Sequence, residues 1–229
     1  MGFAQAGAAV AVVDMNAAAA QTVADAIVQQ GGRALAIGLD VTDEAGVDAA
    51  VVRITKELGG LDVLVSNAGV QIVAPLQDFS FADWRKVMAV HLDAGFLTSR
   101  AAMRAMIASG KGGSIILMGS VHSKEASRLK APYVAAKHGL EGLSKVIAKE
   151  GAPYNIRSNV VCPGFVRTPM LERLERDWDA SQREAVEALH PLGFGEPQDI
   201  AQAAAFLVAA TGRWITGSVL VVDGGYLAK

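Results

Sequence analysis

The sequence predicts an α/β fold with a doubly wound parallel sheet that is covered by helices on both faces. Short apolar runs alternate with helix-length stretches along nearly all of the 229 residues. The runs are apolar throughout, which is typical of parallel strands that are buried on both faces. There is no internal repeat, linker or low-complexity tract, so we expect one domain over residues 1–229.

The predicted strands are short apolar segments that end near an aspartate, serine, proline or glycine. They cover 8–13, 33–39, 61–66, 114–118, 156–161 and 218–222. The predicted helices have helical apolar spacing, and several are bounded by glycine or by a capping side chain. They cover 17–30, 43–58, 81–109, 132–150, 170–189 and 197–210. In such sheets ligands bind beyond the carboxyl ends of the strands, so residues that directly follow strands are candidate site residues.

Charge and composition exclude several classes of function. The net charge of −2 gives no electrostatic basis for binding nucleic acid. No apolar run approaches the roughly 18–20 residues that span a bilayer, and no signal peptide is predicted, so we expect no membrane partner and a cytoplasmic location. The single cysteine, Cys162, cannot form an internal disulfide and offers no metal-site spacing.

The strongest chemical signal is Tyr133 followed four residues later by Lys137, because that spacing places both side chains on one helix face. A phenol has a pKa of about 10, and a nearby ammonium lowers it towards the range useful for acid–base catalysis. Ser120 follows a predicted strand, and its hydroxyl can polarise a substrate carbonyl. The alternative is an ordinary tyrosine–lysine pair on a helix, which the serine at a strand end disfavours.

These residues resemble the catalytic motif of the short-chain dehydrogenase/reductase family, and the resemblance extends over nearly the whole chain. The other matching segments are Ser66-Asn67-Ala68-Gly69, Pro163-Gly164-Phe165-Val166-Arg167-Thr168, Ile215-Thr216-Gly217 and Val222-Asp223-Gly224-Gly225. The resemblance implies a Rossmann-like fold and hydride transfer between a nicotinamide cofactor and an alcohol or ketone. It implies that Tyr133 is the acid–base group, that Lys137 also holds the nicotinamide ribose, and that Ser120 orients the substrate oxygen.

The resemblance also implies a cofactor site, and one aspartate suggests which cofactor it takes. The residues expected to contact the cofactor are Asp14, Asp40, Val41, Asn67, Ala68, Gly69, Tyr133, Lys137, Pro163, Gly164, Val166 and Thr168. Asp14 ends the first predicted strand, where a carboxylate accepts from the adenosine ribose hydroxyls and repels a 2′-phosphate. No arginine stands beside it, so we expect NAD rather than NADP. The alternatives are an exposed loop aspartate and, for the Asn-Ala-Gly and Pro-Gly segments, ordinary turns.

Two departures from the family pattern matter. His91 stands where the family usually has a catalytic asparagine; a histidine can donate, accept and titrate near neutrality, and the alternative is a satisfied core histidine. The family's opening strand and Thr-Gly-x-x-x-Gly-x-Gly turn, which bring N–H groups to the pyrophosphate, have no counterpart in the sequence. The missing strand would lie between the strands that end at Asp14 and Ser66. A late start of the given chain and a natural truncation both explain this.

Three further residues narrow the expected substrate. Gln71, His122 and Lys130 resemble the residues with which 3-hydroxybutyrate dehydrogenases of this family hold the substrate carboxylate, and Ser120 and Tyr133 complete the expected substrate site. An ammonium and two neutral donors suit a small carboxylate. A further glutamine of that subgroup falls on Leu174, and the segment from Glu172 to Asp179 also differs, so the lid of the pocket departs from the subgroup. Taken singly, His122 and Lys130 are also compatible with a solvated loop.

The sequence therefore predicts an NAD-dependent oxidoreductase that interconverts a short 3-hydroxy acid, such as 3-hydroxybutyrate, and its keto acid. The rival enzyme is a relative that acts on another small alcohol or a sugar. A different class is a truncated, non-catalytic dehydrogenase-like protein. The family usually forms tetramers, so a homotetramer is expected, with no metal.

Overall fold

The sheet layer consists of parallel strands that form two separate groups. The structure, a computed structural model, describes residues 1–176 and 178–228. Its strands are β1 (Ala9–Asp14), β2 (Arg33–Gly38), β3 (Val63–Ser66), β4 (Gly113–Met118), β5 (Ile156–Pro163) and β6 (Val219–Val222). Within the described residues, β1 pairs only with β2, and the second sheet has the order β3-β4-β5-β6.

Helices alternate with these strands as the sequence predicts. They are α1 (Gly2–Gln5), α2 (Ala17–Gln29), α3 (Glu44–Leu58), α4 (Phe81–Met88), α5 (Ala94–Ser109), α6 (Ala131–Gly151), α7 (Pro169–Glu175), α8 (Ala180–Ala188) and α9 (Pro197–Val208). In the part of the chain that the structure describes, no helix is both long and apolar enough to cross a membrane.

The core lies on both faces of β4 and β5, as expected of a doubly wound sheet. Ile115 and Leu117 point to one face, where they pack against Met106 of α5 and Leu140 of α6. Because successive strand residues face opposite sides, Ile116 belongs to the other face, where it joins a cluster with Leu207 of α9. The central strands are therefore buried on both sides, which explains their uniformly apolar sequences.

Among the described residues, no ladder of hydrogen bonds between β1 and β3 connects the two sheets. Both strands are apolar, yet their residues are mostly half-buried, whereas Ile115–Leu117 in β4 are fully buried. On one face α3 packs against β1, β2 and α5, and α5 in turn packs against β3 and β4. This agrees with the sequence prediction that a strand is missing between the segments that end at Asp14 and Ser66.

Two predicted helices are interrupted in the structure. The predicted helix 81–109 consists of α4, a π-helical segment (Ala89–Asp93) and α5. The predicted helix 170–189 is divided into α7 and α8, because Asp179 starts a new helix with a capping box in which its carboxylate accepts from Gln182 N at 2.8 Å. Apolar periodicity does not detect either interruption.

Candidate active site

The residues nominated from the sequence lie at or just beyond the carboxyl ends of the strands, or on the helices beside them. Asp14 ends β1; Asp40 and Val41 follow β2; Asn67 to Gln71 follow β3. Ser120 and His122 follow β4, and Pro163 to Thr168 leave β5. Tyr133 and Lys137 lie on α6, Lys130 precedes that helix, and His91 lies in the π-helical segment. The topology therefore brings the predicted site together at one edge.

Ser120, Tyr133 and Lys137 form a connected group, as predicted. The Ser120 hydroxyl is hydrogen-bonded to Tyr133 and also accepts from His122 N at 3.2 Å. The Lys137 ammonium lies 5.4 Å from the centre of the Tyr133 ring and donates to the Met118 carbonyl. Ser123, which the sequence did not nominate, donates to the Lys137 carbonyl at 3.0 Å and accepts from Ser120 N at 3.2 Å. It therefore fixes the turn after β4 against α6.

The electrostatics of Tyr133 differ from the prediction. Burial raises the pKa of the Tyr133 phenol, although the Ser120 hydrogen bond opposes this. Lys137 is itself almost fully buried, and burial lowers the pKa of its ammonium to about 8. The prediction that the lysine lowers the tyrosine pKa is wrong for this structure, because the ammonium faces the ring and binds Met118 while burial penalises the phenolate.

His91 is buried against the segment that follows β3. Its Nε2 lies 2.7 Å from the Val70 carbonyl and 3.1 Å from Val70 N, and its ring meets the Tyr133 ring edge-on at 5.1 Å. Burial, followed by the charge of Lys137, lowers the pKa of His91 to about 4, so the expectation of titration near neutrality is wrong. The shorter contact puts the ring proton on Nε2, which leaves Nδ1 as a buried acceptor without a hydrogen-bond partner among the described residues.

Of the predicted carboxylate-binding residues, one is buried and two are half-buried. His122 is buried, and its Nε2 lies 3.5 Å from the Lys130 ammonium. Burial lowers the pKa of Lys130, and burial together with the Lys130 charge lowers the pKa of His122 to about 4. Gln71 is half-buried, and its amide nitrogen has no hydrogen-bond partner within the described chain. The structure records no direct contact of Gln71 with Lys130 or His122; Gln71 follows Val70, which His91 holds.

An aromatic cluster that the sequence did not nominate adjoins this pocket. The Phe165 ring lies 5.6 Å from the Lys130 ammonium and 6.4 Å from the His122 ring. The other rings around Phe165 belong to Trp178, His190, Phe194 and Tyr226. Tyr226 is hydrogen-bonded to Glu125, whose carboxylate is 3.9 Å from His122 Nδ1. The residues of this aromatic cluster are far apart in the sequence, so local sequence patterns could not predict the cluster.

Three of the cofactor-binding candidates are positioned by contacts within the described chain. Asp14 is exposed, and one carboxylate oxygen accepts from Asn16 N at 2.8 Å, which leaves the other oxygen for a ligand. Asp40 accepts from the amide and hydroxyl of Thr42, and these bonds lower the pKa of its carboxyl. Gly69 fits closely, since an added Cβ would lie 2.5 Å from His91 Cε1.

Fold and site together define an α/β oxidoreductase that uses a nicotinamide cofactor. The family model described as enoyl-(acyl carrier protein) reductase matches residues 1–227. The chain belongs to the short-chain dehydrogenase/reductase family, whose members here include dehydrogenases of secondary alcohols. Its chemistry is the interconversion of an alcohol and a ketone.

Three similar proteins illustrate this relationship. The D-threitol dehydrogenase of Mycolicibacterium smegmatis is 36% identical over 99% of this chain and 86% of its own length. The "inactive 2-(S)-hydroxypropyl-CoM dehydrogenase 2" of Xanthobacter autotrophicus is 38% identical over 98% of this chain and 97% of its own length. A gluconate 5-dehydrogenase from Burkholderia cenocepacia, solved with NADP and tartrate, is 36% identical with a TM-score of 0.93, over 100% of this chain and 89% of that one.

Proposed function

We propose that the protein interconverts a short 3-hydroxy acid, such as 3-hydroxybutyrate, and its 3-keto acid with NAD. The observation that carries this proposal is the half-buried Lys130 ammonium, which lies 3.5 Å from Nε2 of His122, whose ring in turn lies 6.1 Å from the Tyr133 ring. A substrate carboxylate would accept hydrogen bonds from Lys130 and His122 and offset the cost of burying the ammonium. The relative solved with tartrate is a dehydrogenase of gluconate, which is also a hydroxy acid.

In the proposed reaction, a hydride and a proton move separately between the substrate and two different groups. When bound, the nicotinamide ring supplies the hydride acceptor for alcohol oxidation or the donor for ketone reduction. In oxidation, deprotonated Tyr133 would take the hydroxyl proton while the carbon loses hydride and the C=O bond forms; because burial raises the pKa of the Tyr133 phenol, we expect this direction to be faster at alkaline pH. In reduction, the protonated Tyr133 donates its proton to the ketone oxygen. Ser120 donates a hydrogen bond to that same oxygen and so stabilises its negative charge.

His91 is proposed as a neutral relay group rather than a charged one. Its pKa of about 4 keeps the ring uncharged at neutral pH, and the unpartnered Nδ1 can accept a hydrogen bond from a water molecule. The ring lies against Tyr133, so such a water would stand close to the proton-carrying groups. An asparagine side chain also has an acceptor oxygen, so we expect His91→Asn to retain more turnover than His91→Leu.

The preference for NAD is proposed from Asp14. Its free carboxylate oxygen can accept from the adenosine ribose, and its charge repels a 2′-phosphate. We expect Asp14→Ala to weaken NADH binding and strengthen NADPH binding, with Asp62→Ala, at an exposed position before β3, as the control. The measurement is the dissociation constant of each reduced cofactor by fluorescence. An unchanged ratio of the two constants would refute the assignment of Asp14.

The substrate proposal is tested by comparing a charged and an uncharged alcohol. Lys130→Met should lower kcat/KM for 3-hydroxybutyrate by about 10–100-fold, since a hydrogen-bonded charge pair contributes about 1.5–3 kcal/mol, and change kcat/KM for 2-butanol less than twofold. Lys145→Met, at an exposed position on α6, is the matched control and should change neither. Equal losses on both substrates would exclude the carboxylate site. A wild-type preference for neutral polyols would favour an alcohol or sugar dehydrogenase, as the threitol relative suggests.

A second candidate function is that of a dehydrogenase-like protein without turnover. The unpaired edges of β1 and β3 favour it, because the sequence places no glycine-rich turn beside them. The relative named as inactive also matches this chain over 97% of its own length. NADH binding to the 229-residue chain separates the candidates. A dissociation constant in the micromolar range, about −8 kcal/mol, supports the enzyme, and no binding at millimolar NADH supports the second candidate.

Self-association is proposed from exposed apolar side chains. Trp214 is 91% exposed and Leu192 is 87% exposed, and Phe206 of α9 is also exposed. Apolar surface of this kind is typical of protein interfaces, and the proposed assembly is a homotetramer. Light scattering after size exclusion measures the mass directly, and a monomer mass at micromolar concentration would refute the proposal.

A further inference from the structure

His190 lies outside the groups used in the proposed reaction, yet its ring is almost fully buried and both of its nitrogens have partners. Nε2 accepts a hydrogen bond from Phe165 N at 3.1 Å. Because Nε2 is an acceptor, a neutral ring carries its proton on Nδ1, which donates to the Val186 carbonyl at 3.1 Å. One side chain therefore joins the end of α8 to the loop that follows β5.

Packing against neighbouring aromatic rings also restricts the His190 ring. Its centroid lies 5.3 Å from the rings of both Phe165 and Phe194 and 4.8 Å from that of Tyr226. Three aromatic contacts and two hydrogen bonds leave the imidazole little freedom. The Nε2 acceptor is consequently held in one place, and its hydrogen bond holds the Phe165 backbone N–H there.

The loop that His190 holds contributes several candidate site residues. Residues 163–168 include four candidate nicotinamide contacts, and the Phe165 ring faces Lys130 and His122. Backbone bonds hold the loop from two other sides, from Gly164 N to the Val222 carbonyl at 3.0 Å and from Gly195 N to the Phe165 carbonyl at 2.9 Å. The Phe165 N–H, by contrast, donates to the His190 side chain and not to a backbone carbonyl.

We infer that His190 is a positioning residue, which places the 163–168 loop and the Phe165 ring against the substrate pocket. The chain leaves this loop at Thr168, forms α7 and α8, and returns at His190. The hydrogen bond between Phe165 and His190 therefore joins the two ends of the segment that contains both helices. This role adds to the proposed function. It rests on the proposed function in one respect, which is that the loop faces the substrate.

Two variants separate the hydrogen bond from the packing. His190→Gln keeps an acceptor near the position of Nε2 and loses the ring, whereas His190→Phe keeps an aromatic ring and loses the acceptor. If the bond to Phe165 matters, amide hydrogen exchange in residues 163–168 should accelerate at least tenfold in His190→Phe and less than threefold in His190→Gln. Exchange in β4 should stay unchanged in both, because the hydrogen-bond and ring partners of His190 among the described residues lie outside that strand.

Turnover gives the second measurement. His190→Phe should lower kcat/KM for 3-hydroxybutyrate about tenfold, and His190→Gln should restore most of it. Unchanged exchange in residues 163–168 of His190→Phe, or equal acceleration in all segments, would overturn the inference. Hydrogen exchange is measured without substrate, so its result does not depend on the proposed reaction. If the protein turns over no hydroxy acid but exchange in residues 163–168 accelerates in His190→Phe, His190 still holds the loop and only the proposed function is wrong.

Discussion

Two histidines in the site are kept neutral by burial, and this has a cost at acidic pH. His91 and His122 both have a folded-state pKa of about 4, below the usual 6.5. Between these values the unfolded chain binds protons that the folded chain does not. Stability is therefore complete above about pH 6.5 and is lost as the pH falls towards 4.

We expect the free energy of unfolding to decrease by about 2 kcal/mol per histidine between pH 7 and pH 5. Urea unfolding at the two pH values measures this. In His122→Gln, the difference between the two pH values should shrink by the contribution of one histidine. A variant that keeps the full pH dependence would show that His122 titrates normally in the folded state.

Gly69 and His91 form a second residue-scale pair. The Cβ of Gly69→Ala would lie 2.5 Å from His91 Cε1, so the ring must move away from Val70. We expect a loss of about 1–3 kcal/mol, as for other overpacked sites. In a His91→Ala background the same change should cost much less, and a double-mutant cycle by urea unfolding measures the difference. Additive losses would mean that the two residues do not share this contact.

At the scale of the elements, Arg157 of β5 stabilises the end of α9. Its guanidinium donates to the carbonyls of Leu207 at 2.7 Å, Gly212 at 2.9 Å, Ile215 at 3.1 Å and Val208 at 3.3 Å. Leu207 and Val208 end α9, where a helix leaves carbonyls without intrahelical partners, and Gly212 and Ile215 lie in the segment that follows. The planar fork of arginine can reach carbonyls spread over this segment, whereas the three donors of lysine radiate from a single nitrogen.

Arg157→Lys should therefore lower the unfolding free energy by about 1.5–3 kcal/mol, the range for bonds to charged groups. Arg53→Lys, whose arginine forms an exposed pair with Glu57, should change stability by less than about 1 kcal/mol. Thermal unfolding of both variants measures the contrast. Equal, small effects would mean that water satisfies the α9 carbonyls as well as Arg157 does.

Strand and helix order could be predicted because long apolar and periodic segments carry a strong local signal. The π-helical segment around His91 could not, since it differs from an α-helix by one inserted residue and keeps the same apolar face. The proximity of Ser120, Tyr133 and Lys137, the proposed catalytic group, was predicted from spacing, whereas the cluster of Phe165, His190 and Tyr226 was not, because separate segments bring these rings together. The direction of the Tyr133 pKa shift was mispredicted, since burial, which the sequence does not show, is the largest effect on that phenol.

At the scale of the whole molecule, the unpaired edges of β1 and β3 were foreseeable from the missing glycine-rich turn. An apolar strand and glycine-rich turn fused before Met1 should pair with both edges and bring N–H groups towards the pyrophosphate. We expect NADH affinity to rise at least tenfold and the melting temperature to increase. A fusion with prolines in the strand is the control, since proline cannot donate to a ladder. Equal affinity for both fusions would refute this role of the edges.

The division of the sheet also bears on how the protein comes apart. Within the described chain, β1 and β2 pair only with each other, and α2 covers them from one side. On the face that α3 covers, the buried apolar cluster of the described residues consists of Ile37, Ala50 and Ile54, whereas the cluster around Ile115 and Leu117 has nine buried members. Such a unit can unfold without the rest. Limited proteolysis should first cut within residues 9–38 and leave a fragment with the β3-β4-β5-β6 sheet intact.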